Sequence, residues 1–125
     1  MKRPALGFTV IELLVVLACI ALLLGIAAPR YLQHLDRARE VALKEDLHQL
    51  RDAIDKFRGD QGRYPAALAE LVAKRYLRAV PEDPLTQRTD TWVLAAPAEQ
   101  GAAGVFDVHS GAAGRAQDGT TYAQW

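Results

Sequence analysis

One acidic side chain stands near the start of a long apolar segment, and its spacing from a glycine and a phenylalanine suggests a chemical purpose. Residues 8–28 hold only two markedly polar side chains, Thr9 and Glu12. A carboxylate inside a membrane costs about 2.5–3.5 kcal/mol on insertion scales, so such a residue is expected to have a function. Hydrolysis of the peptide bond after Gly7 would create a positively charged amine on Phe8, which Glu12 could neutralise.

The apolar segment is long enough to cross a membrane. As a helix with a rise of about 1.5 Å per residue, residues 8–28 would extend roughly 31 Å, which is close to the thickness of the hydrocarbon core of a bilayer. Lys2 and Arg3 precede the segment. Because basic residues tend to stay on the cytoplasmic side, the sequence predicts a single membrane pass with the remainder of the chain outside.

Two other interpretations of this N-terminus compete with a membrane helix. A secretory signal has an apolar core of about 7–15 residues and a small-residue cleavage site, whereas this segment is longer and contains Glu12. Val16-Leu17-Ala18-Cys19 loosely resembles a lipoprotein cleavage box, with Cys19 as the lipid acceptor. A lipidated cysteine normally opens a polar tether, but here the chain stays apolar, and a cysteine in an apolar helix is commonly a small buried residue. The lipoprotein interpretation stays open.

The residues around the acid are similar to the leader and mature N-terminus of type IV pilins and their relatives. They read Lys2-Arg3-Pro4-Ala5-Leu6-Gly7 and then Phe8-Thr9-Val10-Ile11-Glu12. The resemblance implies that a membrane peptidase cuts after Gly7 on the cytoplasmic side and N-methylates Phe8. It also implies that Glu12 is the acid of the family motif.

The apolar segment ends at Pro29, four residues after Gly25. Proline lacks the N–H that would bond the carbonyl of Gly25, so the helix is expected to loosen between these two residues. A simple kink is one interpretation, and the pilin resemblance implies another, a segment that melts when subunits pack into a filament. We divide the chain accordingly into a leader, a membrane or filament-core helix and a periplasmic globular domain, at residues 1–7, 8–29 and 30–125.

Helical periodicity resumes after the proline. Apolar side chains recur at steps of four and three, and this apolar stripe comprises Leu43, Leu47, Leu50, Ile54 and Phe57. Such a pattern is typical of an amphipathic helix with one buried face. Glu40 with Lys44, and Asp52 with Lys56, are acid-before-base pairs at the favourable spacing of four, and we place them on the opposite face. The helix is expected to end at Gly59.

Beyond the long helix, a series of short motifs indicates which branch of the pilin relatives the chain resembles. Gly62-Arg63-Tyr64-Pro65 precedes a predicted short helix at 67–74, and Tyr76-Leu77 and Val80-Pro81-Glu82-Asp83-Pro84 follow it. In this order the motifs resemble the major pseudopilins of type II secretion systems, and they extend the resemblance over nearly the whole chain. Tyr64 and Pro65 are interpreted as a core anchor and a turn residue, and Val80 to Pro84 as a rigid linker.

Two strands are predicted at 91–95 and 105–109, with Trp92 and Phe106 covering the apolar stripe. A flexible loop of small residues should follow at 110–119, and the aromatic residues of 120–125 should fasten the terminus. The predicted fold is α+β and pilin-like. A long N-terminal helix, transmembrane in its first half and amphipathic in its second, packs on a short helix and a small antiparallel β-sheet.

The composition argues against several classes of function. Fifteen basic and fifteen acidic residues give a net charge of zero, whereas a general nucleic-acid binder would need a basic excess. The only cysteine lies in the apolar segment, so no disulfide can form within the chain, and the three histidines lack the spacing of a zinc site. Since the chain also carries no recognisable catalytic motif, we do not expect an enzyme.

Calcium is the one cofactor that the resemblance implies. Major pseudopilins bind it in a C-terminal loop through several acidic side chains and backbone carbonyls. The corresponding loop here offers Asp118, with Asp107 and Ser110 nearby. Because calcium takes six to eight oxygen ligands, carbonyls and water would have to supply most of them. Asp118-Gly119 is also an ordinary turn dipeptide, so the sequence supports both interpretations.

The resemblance implies a structural subunit of the bacterial inner membrane that polymerises with copies of itself into a periplasmic pseudopilus for type II secretion. The implied partners are the prepilin peptidase and methyltransferase, the inner-membrane assembly platform and minor pseudopilins. Glu12 would pair with the Phe8 amine of an adjacent subunit or, before assembly, with its own. Two alternatives stay open, a subunit of a surface type IV pilus for adhesion, motility or DNA uptake, and a minor pilin-like binding module that does not polymerise.

Overall fold

The computed structural model describes residues 6–125. By their contacts the residues form two compact units, with the division after Asp36, and each unit is described by itself. The elements, in chain order, are helix α1 at Val10–Gln61, helix α2 at Leu68–Ala73, strand β1 at Val93–Ala95, strand β2 at Asp107–His109 and a 3-10 helix at Tyr122–Gln124. A long helix, a short helix and a small antiparallel sheet are the α+β arrangement that the sequence predicts.

The first unit consists of the N-terminal part of α1 and the residues before it. Its large apolar side chains between Leu6 and Leu32 are exposed, with exposed fractions from 48% at Ile20 to 99% at Leu6. Among the described residues, α1 is the one helix long and apolar enough to cross a membrane. A helix that is apolar all round needs a covering, which the described chain does not provide for this segment.

Pro29 lies inside α1, and the predicted break between Gly25 and Pro29 is absent, since both residues are helical. Proline removes one backbone hydrogen bond, but its φ of about −65° is already helical, so the bonds on either side can keep the helix continuous. The melting of this segment within a filament stays a prediction.

The core of the second unit confirms the predicted apolar stripe. All five stripe residues are at most 2% exposed. They form one cluster with Leu71 of α2, with Val108 of β2 and with Trp92, which precedes β1. Burying a side chain of this size stabilises the folded state by about 1.5–3 kcal/mol. The amphipathic half of α1 is therefore held by the short helix and the sheet, as predicted.

Strands β1 and β2 pair antiparallel, with Leu94 opposite Val108, but each is shorter than predicted. The Trp92 indole donates a hydrogen bond to the Pro81 carbonyl at 2.8 Å, and the Val105 amide donates one to the Pro65 carbonyl at 2.7 Å. The Val105 amide is therefore directed to Pro65 and not to β1, whereas the Phe106 amide already donates to the Ala95 carbonyl of β1 at 2.8 Å.

Phe106 was expected in the core, and that prediction is wrong. Its side chain is 51% exposed, whereas Val105 and Val108 are buried. The bond from the Val105 amide to Pro65 fixes the backbone before β2, so the alternation of a regular strand does not extend back to Phe106. Phe106 packs edge-on against Tyr64 instead, with ring centroids 5.6 Å apart. Trp92, at 8% exposed, is buried as predicted.

Helix α1 ends two residues later than predicted, at Gln61 rather than Gly59. Gly62 has a positive φ of 71°, and its amide donates to the Arg58 carbonyl at 3.0 Å. Glycine adopts this left-handed conformation without the clash that a Cβ would cause, so Gly62 is the residue that stops the helix.

Candidate functional site

Thr9 and Glu12 cap the N-terminus of α1 with each other. The Thr9 hydroxyl accepts a hydrogen bond from the Glu12 amide at 3.2 Å, and the Glu12 carboxylate accepts one from the Thr9 amide at 3.3 Å. This reciprocal pair is a capping box, which satisfies two amides that the start of a helix leaves without helical partners. A negative charge is also favourable at this end of the helix dipole.

The capping box gives Glu12 a hydrogen-bond partner in the uncleaved chain. A carboxylate in an apolar segment without such a donor would be costly. We did not predict this role of Thr9, although Thr9-Val10-Ile11-Glu12 carries its signature, a threonine followed three residues later by a glutamate before an apolar run.

Gly7 and Phe8 lie in non-helical chain just before α1. Phe8 is 85% exposed, and a side chain built at Gly7 would meet no atom of the described residues within 4 Å. Within residues 6–125, nothing therefore blocks a peptidase from the bond between them. Phe8 and Glu12 also line the same open apolar groove, together with Ile11, Val15 and Val16. The remainder of the predicted leader, residues 1–5, lies outside the described residues.

Two of the three residues predicted as calcium ligands are bound to other parts of the protein. The Asp107 carboxylate accepts a hydrogen bond from Nε of Arg51 at 2.8 Å, and its second oxygen lies 3.6 Å from Nε2 of His109. Ser110 is buried, and its hydroxyl donates to Asp83 at 2.6 Å. The Asp107 and Ser110 side chains thus belong to two different hydrogen-bond networks.

The third predicted ligand, Asp118, forms a turn. One of its carboxylate oxygens accepts hydrogen bonds from the Thr120 amide at 2.9 Å and from the Thr120 hydroxyl at 2.6 Å. These two bonds lower the pKa of the Asp118 carboxyl because they favour its charged form. Within the described part of the chain, no group of three or more His, Cys, Asp or Glu side chains could hold a metal ion.

Asp83, which we expected to lie in a rigid linker, is instead a buried hydrogen-bond centre with no exposed surface. One oxygen accepts from the Leu85 amide at 2.8 Å and from the Thr86 amide at 3.4 Å. The other accepts the Ser110 hydroxyl. An aspartate before a proline often begins a turn, and that signal could have shown its local role but not its distant partner.

The negative charge of Asp83 affects Asp46 on α1. Burial raises the pKa of the Asp46 carboxyl, and the nearby charges of Asp83 and Glu45 raise it further. Because the folded state then holds this proton more tightly than the unfolded chain does, stability is lost as the pH rises through the pKa of Asp46.

We expect Asp46→Asn to raise the melting temperature by about 1–3 °C near pH 7, since relieving a partly solvated repulsion is worth only a few tenths of a kcal/mol. Thermal unfolding at several pH values checks this. The gain should disappear at about pH 3, where both states are protonated. Asp55→Asn, an exposed position on the same helix, is the matched control. A gain that persists at low pH would contradict the explanation.

Known protein families match both the N-terminal segment and the remainder of the chain. Residues 2–28 match the family model of the prokaryotic N-terminal methylation motif, and residues 30–124 match that of the type II secretion system (T2SS), protein G. The type II secretion system core protein G of Pseudomonas aeruginosa is 29% identical, over 87% of this chain and 84% of that one. The protein of the same name from Klebsiella michiganensis is 26% identical, over 84% and 83%. No solved structure matches the chain significantly.

Proposed function

Because the chain belongs to the protein G family of type II secretion systems, we propose that it is a major pseudopilin, which polymerises into a periplasmic pseudopilus that drives protein export. The observation that carries this proposal is the open Phe8–Glu12 site at the start of an exposed apolar helix. A separate buried apolar core in residues 37–125 accompanies it. Residues 37–125 bury an apolar core of their own, whereas the apolar side chains at the start of α1 are exposed.

The exposed apolar helix supports the proposal that the subunit moves from the membrane into the core of a filament. Contiguous apolar surface of this extent does not stay in water. Before assembly the bacterial inner membrane would cover it, with the globular domain in the periplasm. After assembly the same surface would pack against the helices of neighbouring subunits in the filament core.

Glu12 would change its partner when the leader is removed. In the uncleaved chain its carboxylate accepts the Thr9 amide. Cleavage after Gly7 and N-methylation would leave a charged amine on Phe8, one helical turn away. In a filament the amine of an adjacent subunit competes for Glu12, and because an unpaired charge in an apolar core is costly, the pair fixes the axial register of the subunits.

The partners that fit this proposal are the prepilin peptidase and methyltransferase, the inner-membrane assembly platform, minor pseudopilins and further copies of the chain. The match to the N-terminal methylation motif supports the processing step. We propose no catalytic activity for the chain itself and no contact with nucleic acid.

Deleting the gene in its native bacterium tests the proposal. Exported proteins should accumulate in the periplasm and return to the culture medium when the wild-type gene is restored, as quantified by mass spectrometry of both fractions. Unchanged export, with loss of surface adhesion or motility instead, would overturn the secretion role in favour of a surface pilus.

A further inference from the structure

A buried glutamate, Glu40, fastens the C-terminal segment, residues 114–125, to α1. Glu40 is only 9% exposed. Its Oε1 atom accepts a hydrogen bond from the Gln117 amide at 2.9 Å and another from the Tyr122 hydroxyl at 3.0 Å. These donors lie 77 and 82 residues further along the chain. One carboxylate oxygen therefore connects the beginning of the second unit to its last residues.

The C-terminal segment is also closed on itself. The Ala116 amide donates to the Thr120 carbonyl at 2.7 Å, and the Trp125 indole donates to the Thr120 hydroxyl at 2.7 Å. The Tyr122 and Trp125 rings pack edge-on with centroids 5.3 Å apart, and the Lys44 ammonium lies 4.4 Å from the Trp125 ring centroid. Protein groups alone thus supply many of the contacts that order this segment.

Because Glu40 is buried, losing the hydrogen bonds to its carboxylate would be costly. A carboxylate removed from water is costly unless donors satisfy it, and hydrogen bonds to a charged acceptor are among the stronger ones. If the C-terminal segment moved away, Glu40 would lose both donors at once. The contact therefore favours a single position of the segment.

The residues predicted as calcium ligands do not fit the alternative, a segment held by a cation. Asp107 is ion-paired with Arg51 at 2.8 Å, and Ser110 donates a hydrogen bond to the buried Asp83. The Asp118 carboxylate accepts a hydrogen bond from the Thr120 hydroxyl. Calcium needs six to eight oxygens around one point. Recruiting these side chains would break three existing sets of bonds.

We infer that Glu40, rather than a bound cation, holds the C-terminal segment of this chain, so that the second unit keeps its stability without calcium. This inference rests on the contacts of the second unit and does not depend on the proposed role in secretion. Glu40 and Tyr122 thus hold the C-terminal segment in place, a role that the family resemblance gave to calcium.

Thermal unfolding of the full chain in detergent tests the inference. Both tryptophans, Trp92 and Trp125, lie in the second unit, so near-ultraviolet circular dichroism reports on this unit. The melting temperature should be the same in excess EDTA and in millimolar calcium chloride, and calorimetric titration with calcium should give no binding heat. Glu40→Ala should lower the melting temperature by about 6–15 °C, and Tyr122→Phe by about 4–8 °C.

Glu45→Ala is the matched control, because Glu45 is an exposed acid on the same helix, and it should change the melting temperature by no more than about 2–4 °C. If Glu40→Ala does not fold, Tyr122→Phe decides the question. A calcium-dependent rise that Asp118→Asn removes would overturn the inference. So would Glu40→Ala and Tyr122→Phe proteins that melt like the wild type.

Discussion

Replacing Glu12 with alanine is expected to abolish filament assembly while the leader is still removed. In the filament core the Phe8 amine of the next subunit would face no carboxylate, and an uncompensated charge there costs several kcal/mol. A loss of about 3 kcal/mol weakens each subunit addition roughly 100-fold. Electron microscopy of filaments sheared from cells that overproduce the chain should therefore find none for Glu12→Ala.

Cleavage should continue because Glu12 lies beyond the bond that is cut. The backbone amide of residue 12 remains available to the Thr9 hydroxyl, which accepts it at 3.2 Å in the wild-type chain, so the start of α1 keeps this half of its cap. The mass of the membrane-bound subunit reports cleavage separately from assembly. Glu45→Ala is the control and should form normal filaments. Normal filaments from Glu12→Ala would contradict the proposed pairing of Glu12 with the Phe8 amine.

Replacing Asp83 with alanine is expected to lower the free energy of unfolding by about 3–5 kcal/mol. The substitution leaves the buried Ser110 hydroxyl and the partly buried amides of Leu85 and Thr86 without their acceptor. Each buried donor left unsatisfied costs about 1–3 kcal/mol. Urea unfolding of the full chain in detergent, followed by tryptophan fluorescence, measures the change.

Asp90→Ala is the matched control for Asp83→Ala. Asp90 lies in the same region and is ion-paired with Arg88 at 2.6 Å, but both side chains are mostly exposed. A surface ion pair contributes about 0–1 kcal/mol, so the control should be close to the wild type. Similar losses for the two variants would show that burial is not what makes Asp83 important.

The long helix was predictable because its burial follows a local period. The steps of three and four between Leu43 and Phe57 identify the buried face without any knowledge of what covers it. Glu40 lies three residues before Leu43 and so belongs to that same face. We assigned it to the opposite face because Lys44 follows at the spacing of an ion pair. In the structure Lys44 lies over Trp125, and Glu40 bonds to Gln117 and Tyr122.

The features that the sequence analysis missed depend on partners far along the chain. Asp83 bonds to a serine 27 residues away. Near the start of the predicted strands, Val105 bonds to the Pro65 carbonyl and Trp92 to the Pro81 carbonyl. Nothing in a local pattern indicates such partners. The capping box of Thr9 and Glu12 is different, since both residues and their spacing were visible in the sequence.

The mass of the N-terminal peptide from the membrane fraction of the native bacterium tests the central claim most directly. We expect a peptide that begins with N-methylated Phe8, which requires cleavage after Gly7 and so leaves the Phe8 amine for Glu12 to pair with. A chain that still begins at Met1, or one that begins at a lipidated Cys19, would contradict it. Either result would make this protein a tethered periplasmic domain.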